Sequence, residues 1–246
     1  MADASTRTAG ILYPGYSAED DYPILQGLLG DDAHLPLVHT LMRVDAHRVD
    51  ALLDVGSEQV LADGARDLLS RHRVDSVIWA CTSGSFVFGR DGAGEQVDKL
   101  RAATGLPTSS TSLAFEHAAQ RLGLRRVAVA ATYPADVAAK FVEFLDGAGI
   151  EVVRLSSGGI VTAAEVGTLG REQVLEFAVA NDDERAEALL MPDTALHTAA
   201  WLDELERRVG KPVLTANQVS AWEGLRLAGA DRVRDGVGTL FRRALE

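Results

Sequence analysis

A single cysteine, Cys81, stands in 246 residues. One thiol forbids an internal disulfide and fits a reducing compartment, so a cytoplasmic location is expected. Nor can it hold a structural zinc alone, and the histidines His34, His39, His47, His72, His117 and His197 show no metal-ligand spacing. Metal-free chemistry is the expectation. No window approaches ~18 uninterrupted apolar residues, which argues against a transmembrane helix. The opening residues, Met1 to Arg7, lack a basic region followed by an apolar core, so no secretory leader is expected.

Positive charge is also scarce. Lys and Arg number 24 against 36 Asp and Glu, a net charge of −12. Binding to nucleic acid needs clustered Lys and Arg, so that class of partner is excluded, and no membrane partner is expected. A small anion remains admissible because a binding site is local and net charge is global. No Pro/Gly/Ser-rich linker and no low-complexity tract divides the chain. Whether further copies of it assemble is left open.

What is present is an alternation. Short apolar runs at 10–13, 76–80, 126–131, 151–155, 188–191 and 212–215 suit strands buried on both faces of a parallel sheet. Stretches of helical period, such as 60–69 and 198–206, lie between them. Alternation of this kind predicts βα units with right-handed crossovers. The plan also repeats. Tyr13-Pro14 closes one run and Cys81-Thr82 closes a later one; Tyr133-Pro134 and Asp193-Thr194 follow at comparable offsets. The predicted fold is α/β, with two pseudosymmetric half-domains over 1–115 and 116–246. Each is a mostly parallel sheet flanked by helices, with the site in the cleft between them and the last helix packing back on the N-terminal half.

In open α/β sheets ligands sit beyond the strand carboxyl ends. Cys81 occupies such a place and is followed by Thr82, Ser83, Gly84 and Ser85. Backbone N–H groups and a helix start there could lower the thiol pKa toward a nucleophilic thiolate. The hydroxyls of Thr82 and Ser83 would cradle a carboxylate. The plainer alternative for Cys81 is a small buried hydrophobe. Asp193 falls opposite Cys81 in the repeat and could give and retrieve a proton, or could simply cap a helix. Tyr133 offers a phenolic donor, and Thr194 duplicates Thr82. Asn217 could line the cleft or cap the next helix. Ser17 borders the cleft, and the Glu19-Asp20-Asp21 run after it reads as a solvated loop. The hydroxyls of 109–112, following an apparent strand end at Pro107, read as a helix cap. His197 reads as a supporting or surface residue.

These residues resemble the aspartate/glutamate racemase superfamily, in its maleate cis-trans isomerase and arylmalonate decarboxylase branch. The resemblance covers nearly the whole chain. It is carried by residues 80–85, 132–134, 193–198 and 210–218. It implies a cofactor-independent enzyme with two facing cysteines across the substrate. Cys81 matches the cysteine that adds to substrate in the isomerases, a position held by Gly in the decarboxylases. Thr82, Ser83 and Tyr133 match the groups that hold the substrate carboxylate. Two positions depart: the second cysteine is Asp193, and an early Asn of the isomerases is Ser17. The function implied is isomerisation of a small carboxylate or dicarboxylate, with Cys81 on one face and Asp193 as the opposing acid/base. A decarboxylase passing through an enediolate and a catalytically silent carboxylate-binding protein are the alternatives.

Overall fold

The computed structural model describes residues 6–230 and 233–242. Nine strands run through them: β1 (Arg7–Pro14), β2 (Ala33–His34), β3 (Leu37–Thr40), β4 (Ser76–Trp79), β5 (Thr108–Ser110), β6 (Arg126–Ala131), β7 (Glu151–Ser157), β8 (Ala188–Met191) and β9 (Val213–Thr215). They form two sheets, and every pairing is parallel. The first has the order β2-β1-β4-β5, with β3 also on β1; the second has the order β7-β6-β8-β9. If β2 and β3 count as one edge strand interrupted at Leu35-Pro36, the two orders are the same. Proline cannot donate to a ladder, which accounts for the interruption.

Parallel sheets are covered on both faces, and the helices supply the cover. Those of the first half are α1 (Asp21–Leu29), α2 (Val49–Val55), α3 (Glu58–Arg71), α4 (Ser83–Phe86), α5 (Gly89–Thr104) and α6 (Thr111–Leu122). The second half adds α7 (Ala135–Gly147), α8 (Ala163–Val166), α9 (Arg171–Ala180), α10 (Leu202–Val209) and α11 (Ala216–Leu227). Side chains alternate across each strand. On β1, Ile11 and Tyr13 join the largest core, while Leu12 joins a smaller one with Val77, Trp79 and Cys81. On β6, Val129 and Ala131 face the large core and Ala128 and Ala130 face a third, with Leu189 and Met191. The large core holds residues from both sheets, including Ile78, Val129 and Leu214, with Phe115 of α6 and Phe141 of α7. The two halves therefore share one interior. Among the described residues no helix is long and apolar enough to cross a membrane.

Three strands lie outside the expected runs. β2 and β3 flank Pro36 and are short; β5 reads Thr-Ser-Ser and carries no apolar signal. The structure corrects the strand end expected at Pro107, because pairing with β4 runs from Thr108 to Ser110. The cap expected in that segment is present: the Ser110 side chain accepts from the Leu113 N–H.

α11 follows a strand of the second sheet yet packs against β1, β4, β5 and α6. Ser76 Oγ donates to the Gly224 carbonyl at 2.7 Å. A Cβ on Gly224 would stand 2.7 Å from the Ala9 Cβ and 3.0 Å from the Ile78 side chain. That contact fixes the helix on the sheet, and it yields a test. Gly224→Ala should overpack the interface and cost about 1–3 kcal/mol, read as a fall of a few degrees in Tm; an unchanged or raised Tm would contradict the packing described.

Candidate active site

Each sheet reverses strand order between its first strand and the next neighbour: β1/β4 in one, β6/β8 in the other. Ligand sites in open α/β sheets form at such switch points, beyond the carboxyl ends. Pro14 and Cys81 lie at the first switch point, Thr132 and Asp193 at the second. Ser17, Cys81, Ser83, Asp193 and Thr194 line one cavity, with Tyr13, Asp45 and His47. Its volume is ≈ 30 Å³, room for about two waters.

Cys81 is 5% exposed. Its Sγ accepts from the Gly84 N–H at 3.2 Å and lies 3.9 Å from Ser83 Oγ. Gly84 is there because a Cβ would press to 3.0 Å from Sγ and 3.3 Å from the Trp79 ring. The expected lowering of the thiol pKa is corrected. Burial is the dominant cause and pushes it from 9.0 to about 11; the Gly84 and Ser83 contacts oppose this, and the Asp193 charge adds to it. A helix of one turn has too few free N–H groups to outweigh desolvation. At neutral pH the group is therefore a thiol.

The turn bearing Cys81 is held from behind by hydroxyls. Ser112 Oγ donates to the Thr82 carbonyl at 2.8 Å, and Ser85 and Ser110 share a 2.8 Å hydrogen bond. Thr82 is fully buried, and its own hydroxyl finds no hydrogen-bond partner in the protein. Tyr133 is equally buried, its ring against Phe86 and His47. The hydroxyl of Tyr133 donates to the Pro192 carbonyl at 2.8 Å. Burial, then the charges of Asp193 and Cys81, hold the phenol well above its ordinary pKa.

Asp193 is 4% exposed. Its Oδ1 accepts from the Ala195 N–H at 2.9 Å, and its Oδ2 accepts a short hydrogen bond from Thr132 Oγ1. The first of these is a local Asx-type bond of the kind that caps a turn. Facing Oδ2 at 3.9 Å is Nε2 of His47, a residue the sequence singled out only for lacking metal-ligand spacing. His47 sits on the loop after β3. Since β3 carried no recognisable signal, the loop following it was not read as one at a strand carboxyl end.

Thr82, Tyr133 and Asn217 do not line the cavity. Asn217 is buried behind it, where Nδ2 donates to Asp21 Oδ2 at 3.0 Å and to the Thr194 carbonyl at 3.1 Å. Its side chain fixes the turn that carries Asp193 and Thr194. The Tyr13 hydroxyl donates to the same carbonyl at 2.9 Å and shares a 2.8 Å hydrogen bond with Ser17. The reading of residues 19–21 as a solvated loop is corrected at Asp21, which opens α1 at 1% exposure. It accepts from the Thr198 and Ala199 N–H groups. Burial pushes its pKa up, while Asn217 and those N–H groups act against the rise. His197 contacts Asp20 at 2.8 Å, at the edge of the protein. No cluster of three or more His, Cys, Asp or Glu that could hold a metal occurs among the described residues.

The arylmalonate decarboxylase family profile matches residues 49–241. Arylmalonate decarboxylase of Bordetella bronchiseptica is 29% identical, with 98% of this chain and 99% of that protein aligned. Two solved structures share the fold. The maleate isomerase of Pseudomonas putida S16 superposes with TM-score 0.86 at 19% identity, covering 98% of this chain and all of that one. A variant of the Nocardia farcinica maleate cis-trans isomerase, holding a covalently bound succinylcysteine intermediate, gives TM-score 0.82 at 21% identity, covering 97% and 99%.

Three measurements test this geometry. Thiolate absorbance, taken as parent minus Cys81→Ser, should stay near zero at pH 9, where a thiol titrating at about 11 is ~1% ionised; a half-developed signal there would refute the account of burial. Thr82→Val removes an unpartnered buried hydroxyl, so stability should hold or rise. Ser83→Ala, in the cavity lining, should lower affinity for a small dicarboxylate by about 1–3 kcal/mol, and calorimetry showing unchanged affinity would remove Ser83 from the cradle.

Proposed function

The chain belongs to the arylmalonate decarboxylase family, and on that premise we propose that it is a cofactor-independent isomerase of a small cis-dicarboxylate such as maleate. One observation carries the reading: Cys81 and Asp193, from equivalent strand ends of two sheets, line a single cavity. Groups so opposed reach both faces of a planar substrate. Having Cys at the first position and Asp at the second divides the labour between a soft nucleophile and an acid/base.

The chemistry runs as addition and elimination. Cys81 loses its proton to the Asp193 side of the cavity as Sγ bonds to one alkene carbon. The π electrons move to the neighbouring carboxylate as an enediolate. The former double bond is now single and rotates. The S–C bond then breaks, the double bond re-forms in the trans geometry, and the proton returns to sulfur. Nothing is oxidised or reduced. The hydroxyls of Ser83, Thr194 and Ser17, which line the cavity, would meet the substrate carboxylates. Protonation of that enediolate at carbon would give at Cys81 a succinylcysteine of the kind held by the Nocardia farcinica relative.

A second reading, decarboxylation of an arylmalonate, is favoured by the full-length similarity to the Bordetella bronchiseptica enzyme. The protonated thiol of Cys81 would there deliver a proton to the enediolate left by loss of CO₂. Maleate and an arylmalonate assayed in parallel separate the two, by fumarate formation and by CO₂ release. Under the preferred reading Cys81→Ala abolishes fumarate formation and the substrate adduct seen by mass spectrometry. Asp193→Asn should keep binding and lose about 10²–10⁴ of the rate, the usual contribution of a positioned acid/base. Full maleate turnover in Cys81→Ala would end the proposal.

A further inference from the structure

Proton transfer at Cys81 needs an acceptor, and the cavity offers a second one beside the Asp193 carboxylate, whose two oxygens each accept one hydrogen bond, from Ala195 N–H and Thr132 Oγ1. His47 is 7% exposed and is held in place from three sides. Its backbone N–H donates to the Val161 carbonyl at 2.6 Å. Its Nδ1 lies 3.0 Å from the Ile160 carbonyl. A carbonyl only accepts, so Nδ1 carries a hydrogen and the remaining nitrogen, Nε2, is the basic one. The ring stands edge-on to Tyr133, with centroids 4.8 Å apart. His47 lines the cavity, and its Nε2 lies 3.9 Å from Asp193 Oδ2.

We propose that His47 and Asp193 form a proton-handling pair, in which Nε2 of His47 shares with the Asp193 carboxylate the proton that leaves Cys81 and returns it at elimination. The inference deepens the isomerase reading and rests on it. The S–H bond breaks and an N–H bond forms at Nε2. The resulting imidazolium stands against the Asp193 carboxylate and the reverse transfer restores the thiol, so no other reactant is consumed. The remaining titratable groups around His47 are Tyr133 on its ring face, Cys81 and Tyr13 across the cavity, and Asp45 two residues back on its own loop. Asp45 is spent on the Ala163 and Ala164 N–H groups at 2.7 and 3.0 Å. Each half thus supplies one member: His47 comes from the loop after β3 and Asp193 from the turn after β8.

The test uses the full chain and two reactions. Acrylamide, a small neutral activated alkene, alkylates Cys81 without any substrate; maleate turnover reports the proposed reaction. Both are measured from pH 6 to about 9, below the thiol's own titration, in the parent, His47→Asn, His47→Gln, Asp193→Asn and the His47→Asn/Asp193→Asn double variant. His47→Asn keeps a donor for the Ile160 carbonyl and loses the basic nitrogen. Alkylation should fall about 100-fold or more in His47→Asn and in Asp193→Asn, from the low end of the range for losing a positioned base upward. The double variant should be no slower than the slower single, as for residues that act as a unit. In both His47 variants the log rate should rise linearly with pH, about tenfold per unit, as for an unassisted thiol. Parental alkylation rates and pH profile in a folded His47→Asn or His47→Gln overturn the pair, as do multiplicative losses in the double variant. If the alkylation pattern holds but the parent does not convert maleate, the isomerase reading fails and the pair stands.

Discussion

A carboxylate removed from water must be met by donors, and Asp21 shows what that requirement organises. Burying an unpaired charge is prohibitive, so its position is set by whatever surrounds it. Here the donors are the Thr198 and Ala199 N–H groups and the amide of Asn217, all from the second half, whereas Asp21 opens a helix of the first. Asn217 passes the constraint on by gripping the Thr194 carbonyl, which Tyr13 of β1 also grips. The turn carrying Asp193 is therefore placed by the opposite half. Without that link the two strand ends would be free to separate, and a cavity a few ångströms across does not survive such freedom.

The same closure explains the state of Cys81. Enclosure keeps the thiol protonated, which protects the one cysteine from adventitious oxidation. In the proposed reaction its reactivity would then be supplied by a neighbouring base and a bound substrate. A thiol activated on demand differs from a resting thiolate. Its activity would depend on the orientation of a few side chains rather than on a standing charge. Water excluded from a site of this size strengthens each of those interactions.

Much of the architecture was legible because it rests on long apolar signals. The runs at 76–80, 126–131 and 188–191 are strands buried on both faces, and the repeated Tyr-Pro and X-Thr pairs fall at the two switch points. Cys81 and Asp193 could be set against each other from that repeat alone. Less visible were elements whose signal is weak for a physical reason. β3 is four residues long and follows Pro36; β5 is all hydroxyls, of which Thr108 Oγ1 donates to the Leu106 carbonyl and Ser110 pairs with Ser85, while Ser109 Oγ is buried without a partner. Missing β3 hid the loop that carries His47. Asp21 looked like one more acidic surface residue because its partners are backbone N–H groups some 177 positions away. The thiol pKa was misjudged for a related reason: local sequence shows nearby donors but not how far water is excluded.

The placement of α11 bears on how the chain is made. Residues 216–227 cover the Ala9 and Ile78 face of the first sheet, the sheet that is synthesised first. As the chain emerges from the ribosome, β1, β4 and β5 can pair long before their cover exists. The cover that α11 gives to this sheet face is completed only when residues 216–227 arrive. Contacts between such distant segments carry a high loop-closure cost and slow folding. The exposed face of β1 and β4 is meanwhile a surface on which nascent chains can associate, so chaperone demand during synthesis follows from where one helix is docked.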